Sequence, residues 1–184
     1  MLILASNSSR RIKLLKDIGL TFEIVAHNVS EKYHKNLKPQ NIVMTLSKRK
    51  ADSVLKAYPN ATVIAADTIV YFEGEVLGKP KDKDDAFNML KKLSGNKHQV
   101  FTGVTIINKD KEKTFYSVSD VFMKNYHDIE IYEYIKTDEP YDKAGAYAIQ
   151  GEGSKLVEKY GGDFFTIVGL PVKEIQKELK NFHY

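Results

Sequence analysis

The sequence predicts an α/β protein, one unit whose halves could form two lobes around a cleft. Three observations carry this. Short apolar or β-branched runs alternate with stretches of helical periodicity, no repeat or low-complexity segment interrupts them, and 42% of the 184 residues are hydrophobic, enough for a substantial core.

Leu2 to Ala5 reads as a strand, followed by a helix capped by Ser9, with Ile12, Leu15 and Ile18 at helical spacing and Gly19 as the stop. Thr21 to Val25 is a second short strand. Pro39 opens a long helix with Val43, Leu46, Ala51 and Val54 on one face, ending before Tyr58-Pro59-Asn60. Ala61 to Phe72 is apolar and β-branched, and turns at Glu73-Gly74 into Glu75-Val76-Leu77, the pattern of a hairpin around a buried strand. Asp82 to Leu93 is helical and closed by Ser94-Gly95. Gln99 to Asn108 and Lys113 to Met123 are strands joined by a polar turn, and a helix follows near Asp128 to Lys136. Pro140 to Gly153 is an irregular loop, and Pro171 begins a last helix running to about Lys180.

Composition excludes several classes. With no cysteine, a disulfide framework and a thiolate-bound metal are both ruled out, which fits a reducing cytosol. The five histidines lack paired ligand spacing, so any metal would be held by oxygen. No apolar run approaches the ~20 residues of a membrane span, and Met1 to Ala5 is too short for a signal h-region. A soluble, cytoplasmic protein is therefore expected. The net charge of +4 is spread as lysines along the chain. No recognition-helix pattern, aromatic RNA-binding strand or dense basic stripe argues for nucleic acid.

Some residues resist a purely structural reading. Arg10 and Arg11 stand at a helix N-terminus, where cations oppose the dipole, beside the hydroxyls of Ser6, Ser8 and Ser9. Such an end with added guanidinium groups attracts anions; the alternatives are extension into solvent or a carboxylate partner. Lys50 falls on the inward face of its helix with Val43, unlike its neighbours Lys48 and Arg49. It therefore meets an anion or snorkels to the surface. Asp67 interrupts the apolar run VIAADTIV, residues 63 to 70, and needs pairing, hydrogen bonds or a metal, with Thr68 adding a hydroxyl on the other face.

Lys79 sits in the rigid turn LGKP, residues 77 to 80, and Gln150 in the loop DKAGAYAIQG, residues 142 to 151, offers an amide that both donates and accepts. Gly74 to Lys79 is not a P-loop, because its glycine spacing is one short and Pro80 stands where Ser or Thr should be. Gly151 and Gly153 do not make a dinucleotide fingerprint, since Leu156 occupies the third glycine position. One chemistry joins the anomalies: a divalent cation at Glu31 and Asp67, with Arg10, Arg11, Lys50 and Lys79 around a polyphosphate.

These residues resemble the Maf family of nucleoside triphosphate pyrophosphatases over nearly the whole chain. The likeness rests on ASNSSRR (5 to 11), KRKA (48 to 51), AADTIV (65 to 70), LGKP (77 to 80), KLSGNKHQVFTGV (92 to 104), DEPYDKAGAYAIQG (138 to 151) and VGLP (168 to 171). The DKAGAYAIQG form is similar to the branch that hydrolyses dTTP and UTP, as distinct from the branch acting on 7-methyl-GTP.

The resemblance implies a single Maf-like domain over residues 1–184, with an elongated, twisted mixed sheet flanked by helices and two lobes around a central cleft, as in Maf and Ham1 proteins, commonly homodimeric. It implies water attack at the α-phosphorus, releasing a monophosphate and pyrophosphate with Mg²⁺ or Mn²⁺. Asp67 would be the proton acceptor, Arg11, Thr68 and Gln150 would set base specificity, and Ser6, Arg10, Glu31, Lys50 and Lys79 would contact substrate or metal. Two departures stand out: Ser9 replaces the usual proline before the arginine pair, and Ser30-Glu31 replaces the usual Asp-Glu pair. Serine is a good N-cap, so the first is tolerable; the second removes a carboxylate beside the metal. The rival expectation is a nucleotide- or nucleic-acid-binding regulator of cell division without turnover, which would have no use for Asp67.

Overall fold

The computed structural model describes residues 1–184, which form a mixed seven-stranded sheet and six α-helices. Strand β1 (Leu2–Leu4) leads into α1 (Ser9–Asp17), β2 (Glu23–Ile24), α2 (Pro39–Ala57), β3 (Thr62–Phe72) and β4 (Glu75–Leu77). The chain continues through α3 (Lys83–Leu93), β5 (Lys97–Ile107), β6 (Glu112–Met123), α4 (Asp128–Ile135), β7 (Val157–Gly161), α5 (Phe164–Val168) and α6 (Val172–Leu179). The sheet runs β2-β1-β3-β5-β6-β7, with β4 paired to β3. β1 is parallel to both β2 and β3, whereas β3–β4 and β6–β7 are antiparallel.

Local chemistry explains most boundaries. Pro39 occupies the first turn of α2, where its missing N–H costs nothing. Asp82 caps α3 by accepting from Asp85 N at 2.8 Å. The β3–β4 hairpin turns through Glu73 (φ 48°) and Gly74 (φ 85°), two successive left-handed residues as a type I′ turn requires. One boundary corrects the sequence reading. Ser8, extended at φ −68° and ψ 115°, caps α1, and Ser9 is already its first helical residue. The loop expected from Pro140 to Gly153 holds three 3₁₀ turns, Glu139–Asp142, Ala144–Ala146 and Gly151–Leu156.

The chain divides into two compact units. The first comprises Met1–Thr68, Thr102–Ser117 and Gly169–Tyr184, and the second Ile69–Phe101 and Val118–Val168. In the first, Ile3, Ala5, Ala51, Val54, Val63 and Ala65 belong to one buried cluster that joins β1, α2 and β3. In the second, Leu90, Val121, Ile131, Tyr134 and Tyr147 belong to another, with α3 and α4 packed on the strands. No helix is long and apolar enough to cross a membrane.

Candidate active site

In the first unit the site begins with a close approach of α2 to β5. A Cβ on Gly103 would lie 2.4 Å from the backbone carbonyl of Val43, so only glycine lets the helix sit this near the strand. Ser47 Oγ and Thr105 Oγ1, 3.0 Å apart, add a buried hydrogen bond between the two elements. With α2 seated this way, Val43, Leu46, Ala51 and Val54 are buried, and Lys50 goes inward with them at 4% exposure.

Lys50 Nζ is 2.6 Å from Asp67 Oδ1 and 2.8 Å from Glu31 Oε1. Burial of an unpaired ammonium or carboxylate costs several kcal/mol, about the scale that forces these groups together. Asp67 is 7% exposed, whereas the Glu31 side chain is 59% exposed and meets the ammonium from the solvent side. Burial pushes the Asp67 carboxyl above its ordinary range, against the downward pull of Lys50 and Arg11, and Glu31 adds to the upward push. The result is a carboxylate with increased proton affinity beside a fixed cation.

Glu31 owes its position to a residue that sequence reasoning passed over. Arg49 Nη1 donates to Ser30 O at 2.7 Å and to Lys32 O at 2.8 Å, gripping the backbone on both sides of Glu31. The signals for it are its adjacency to Lys50 and its place in the KRKA stretch, residues 48 to 51. Tyr33, further along the same loop, has its phenol pushed up by burial and by the charge of Asp67.

The opening segment supplies the second group. Ser6 is buried, with its Oγ accepting from Ser8 N at 3.2 Å, and no acidic residue stands in the first turn of α1 to answer the helix dipole. Arg10 lies part-buried in that turn. Arg11 donates through Nε to Gly169 O (2.9 Å), through Nη1 to Ala66 O (2.9 Å) and through Nη2 to Thr68 Oγ1 (3.0 Å). Burial lowers its pKa, and these acceptors hold the guanidinium in one orientation.

Thr68 Oγ1 is also 2.9 Å from Thr102 Oγ1, so Thr102 joins the group; it is not among the expected site residues, although it lies in the stretch KLSGNKHQVFTGV, residues 92 to 104. Gly169, within VGLP, has φ 115°, and a Cβ there would lie 3.2 Å from Thr68 Oγ1. Successive residues of β3 thus serve different partners, Asp67 on α2 and Thr68 on α1, as side chains alternating along a strand must.

Lys79 and Gln150 belong to the second unit, and both are exposed. The turn of Lys79 is tied to the loop of Gln150 by Gly145 N–H donating to Gly78 O at 3.0 Å. Gly145 and Ala146, at φ 71° and 59°, give that loop its bend.

The donor set at Lys50 fits a hard divalent cation. Two carboxylates converge where an ammonium already sits, and Mg²⁺ takes one or two protein carboxylates with phosphate and water as its remaining ligands. Nowhere does the chain gather three or more His, Cys, Asp or Glu into an all-protein cage.

The Maf-like protein family matches residues 1–182. The chain belongs to the Maf family. Among its Maf relatives, a dTTP/UTP pyrophosphatase of Bacillus velezensis is 46% identical over 182 residues, covering 99% of this chain and 96% of that protein. Proteins of the same name from Caldicellulosiruptor bescii and Thermoanaerobacter sp. are 47% and 50% identical, covering 100% and 97% of this chain and 95% of each relative. Among solved structures, the Ham1 protein of Staphylococcus aureus is similar with a TM-score of 0.55 over 98% of both chains at 16% identity, a likeness of fold. Arg11, Lys50, Asp67 and Thr68 fall within stretches that carry the resemblance, whereas Glu31 stands in the Ser30-Glu31 pair, where the chain departs from the Maf pattern.

Proposed function

We propose that this Maf protein hydrolyses dTTP and UTP to the nucleoside monophosphate and pyrophosphate. The observation that carries the proposal is the buried carboxylate of Asp67, raised in proton affinity and set against Lys50 and Glu31, in a chain whose near full-length relatives are dTTP/UTP pyrophosphatases. A protein that only bound nucleotide would gain nothing from burying such a base.

Asp67 takes a proton from the attacking water, a role suited to a carboxylate whose pKa is raised toward the working pH. The water oxygen bonds to the α-phosphorus, the bond from that phosphorus to the bridging oxygen breaks, and pyrophosphate departs. Lys50 supplies positive charge next to Asp67, where charge develops on the phosphates. Ser6, Arg10 and Lys79 are assigned to the phosphates, and Arg11, Thr68 and Gln150 to the base. Glu31 and Asp67 are assigned to Mg²⁺ or Mn²⁺, which when bound neutralises phosphate charge and lowers the pKa of water.

We also assign the reaction to the cytoplasm, where nucleotide pools lie, and expect a homodimer, which light scattering on the purified protein measures. The test of activity is incubation with dTTP, UTP, GTP and 7-methyl-GTP, with Mg²⁺ or Mn²⁺ and then with chelator. Metal-dependent TMP and UMP with pyrophosphate are expected; orthophosphate with a diphosphate would place the cut elsewhere, and no turnover would leave a nucleotide-binding regulator as the reading.

A further inference from the structure

We propose that Glu139 is a positioning residue for base recognition, its carboxylate holding the loop that presents Gln150. This rests on the reading that Gln150 contacts the base. Glu139 Oε1 accepts from Glu152 N at 3.1 Å, and Oε2 accepts from Gly153 N at 2.7 Å and from the Tyr134 hydroxyl at 2.7 Å. The same hydroxyl accepts from Ala148 N at 3.2 Å. Backbone two residues before Gln150, and two and three residues after it, is therefore tied to a single carboxylate–phenol pair.

That pair is well anchored. Tyr134 is 6% exposed and belongs to the apolar core of its unit, so the hydroxyl is fixed by ring packing. Burial, with the neighbouring Glu139 carboxylate, pushes the phenol far up, so it stays a donor to the carboxylate at any ordinary pH. Space beneath the loop is filled as well. A Cβ on Gly151, which has φ 76°, would come 2.1 Å from Glu139 Oε1, and one on Gly153 would come 2.5 Å from Ala148 O and 2.7 Å from the Tyr134 hydroxyl oxygen.

Gln150 itself is extended (φ −106°, ψ 159°) and exposed. Its backbone is thus held from both sides while its amide projects outward, which is the arrangement a reader of hydrogen-bonding edges needs. A site built to satisfy particular donors and acceptors discriminates only if its own groups stay in place.

The test compares Glu139→Gln, Gln150→Ala and the double variant, measuring kcat/KM for UTP and GTP, and Kd for both nucleotides in chelator. Glu139→Gln keeps the volume but puts an NH₂ where backbone N–H groups and a hydroxyl need an acceptor. It should lower the UTP-to-GTP preference about tenfold or more, as Gln150→Ala does, and the double variant should lose no more than Gln150→Ala alone, the non-additivity of residues acting in series.

An unchanged preference in Glu139→Gln beside a reduced one in Gln150→Ala, or effects that multiply, would overturn the positioning role. An unchanged preference in Gln150→Ala overturns the base reading and the proposal with it. Should Glu139→Gln fail to fold, Tyr134→Phe, which keeps the ring and removes only the hydroxyl, must show the same non-additivity for the role to stand. Because Kd is read without metal, absence of turnover does not decide the result.

Discussion

Lys50 Nζ stands 2.6 Å from Asp67 Oδ1, and both side chains are nearly shut off from solvent, at 5% and 10% exposure. Two residues along, Lys48 makes a contact of nearly the same length, 2.7 Å to Glu112, at 43% and 40% exposure. Distance alone would rank these pairs together. The surroundings separate them, because charge interactions strengthen and desolvation costs rise as water is excluded.

Lys50→Met should therefore cost about 3–5 kcal/mol of stability, because Asp67 is left as a buried charge without its closest partner. Lys48→Ala should cost at most about 1 kcal/mol. Urea unfolding of the two variants measures this, and dTTP hydrolysis should be lost in the first and retained in the second. Equal effects would mean that the buried Lys50–Asp67 pair contributes no more to stability or turnover than the exposed Lys48–Glu112 pair.

Asp67→Asn keeps the shape of the side chain and its ability to accept from Lys50 while removing the proton acceptor. Turnover of dTTP should fall by about 10²–10⁴ with little change in KM, the range general-base catalysis supplies. Circular dichroism should show the fold intact. A rate equal to that of the unsubstituted protein would remove Asp67 from the proton-acceptor role.

Gly103→Ala places a methyl group 2.4 Å from the Val43 carbonyl, and backbone cannot yield as a flexible side chain would. Overpacking of this kind costs about 1–3 kcal/mol or more. Since α2 carries Lys50, its displacement should lower activity along with the melting temperature. Ala substituted at Gly78, where nothing lies within 4 Å of the added Cβ, should leave the melting temperature within a degree or two of its starting value.

Away from the site, His98 provides a pH dependence. It is 2% exposed, with Nε2 2.7 Å from the Tyr147 hydroxyl and no hydrogen-bond partner at Nδ1. Burial pushes its pKa down to about 4 from 6.5, with the charge of Asp120 pulling weakly the other way. Below pH 6.5 the unfolded chain takes a proton that the folded chain refuses, so stability is full above that pH and falls as pH drops toward 4. The loss is on the order of 3 kcal/mol. Denaturant midpoints between pH 4 and 7 should fall with acidity in the original protein and flatten in His98→Asn.

Several features were open to inspection in the residues themselves. The inward direction of Lys50 followed from its register with Val43, Leu46 and Val54, and the need of Asp67 for a partner followed from the apolar run around it. Both are consequences of short-range periodicity. Strand β7 was not legible, because Val157–Gly161 carries charged and exposed side chains without alternation. Its pairing of Val121 with Tyr160 is a property of the neighbouring strand as much as its own. Helix α5 was missed for a related reason: at five residues it is too short for a periodic pattern, and it begins where Asp163 accepts from Thr166 N and its hydroxyl.

The sequence by itself determined the family, the alternation of strands and helices, and which side chains could not rest without a partner, since all three depend on residue identity and near spacing. Only the tertiary structure decided who those partners are. That Lys50 answers both Asp67 and Glu31, that Arg49 grips the backbone around Glu31, that Arg11 is held by Gly169, Ala66 and Thr68, and that Glu139 ties the chain on either side of Gln150 are contacts made mostly across long stretches of sequence. Burial selects such pairings through close packing of whole elements, as where Gly103 admits α2, and no local pattern records which surfaces will meet.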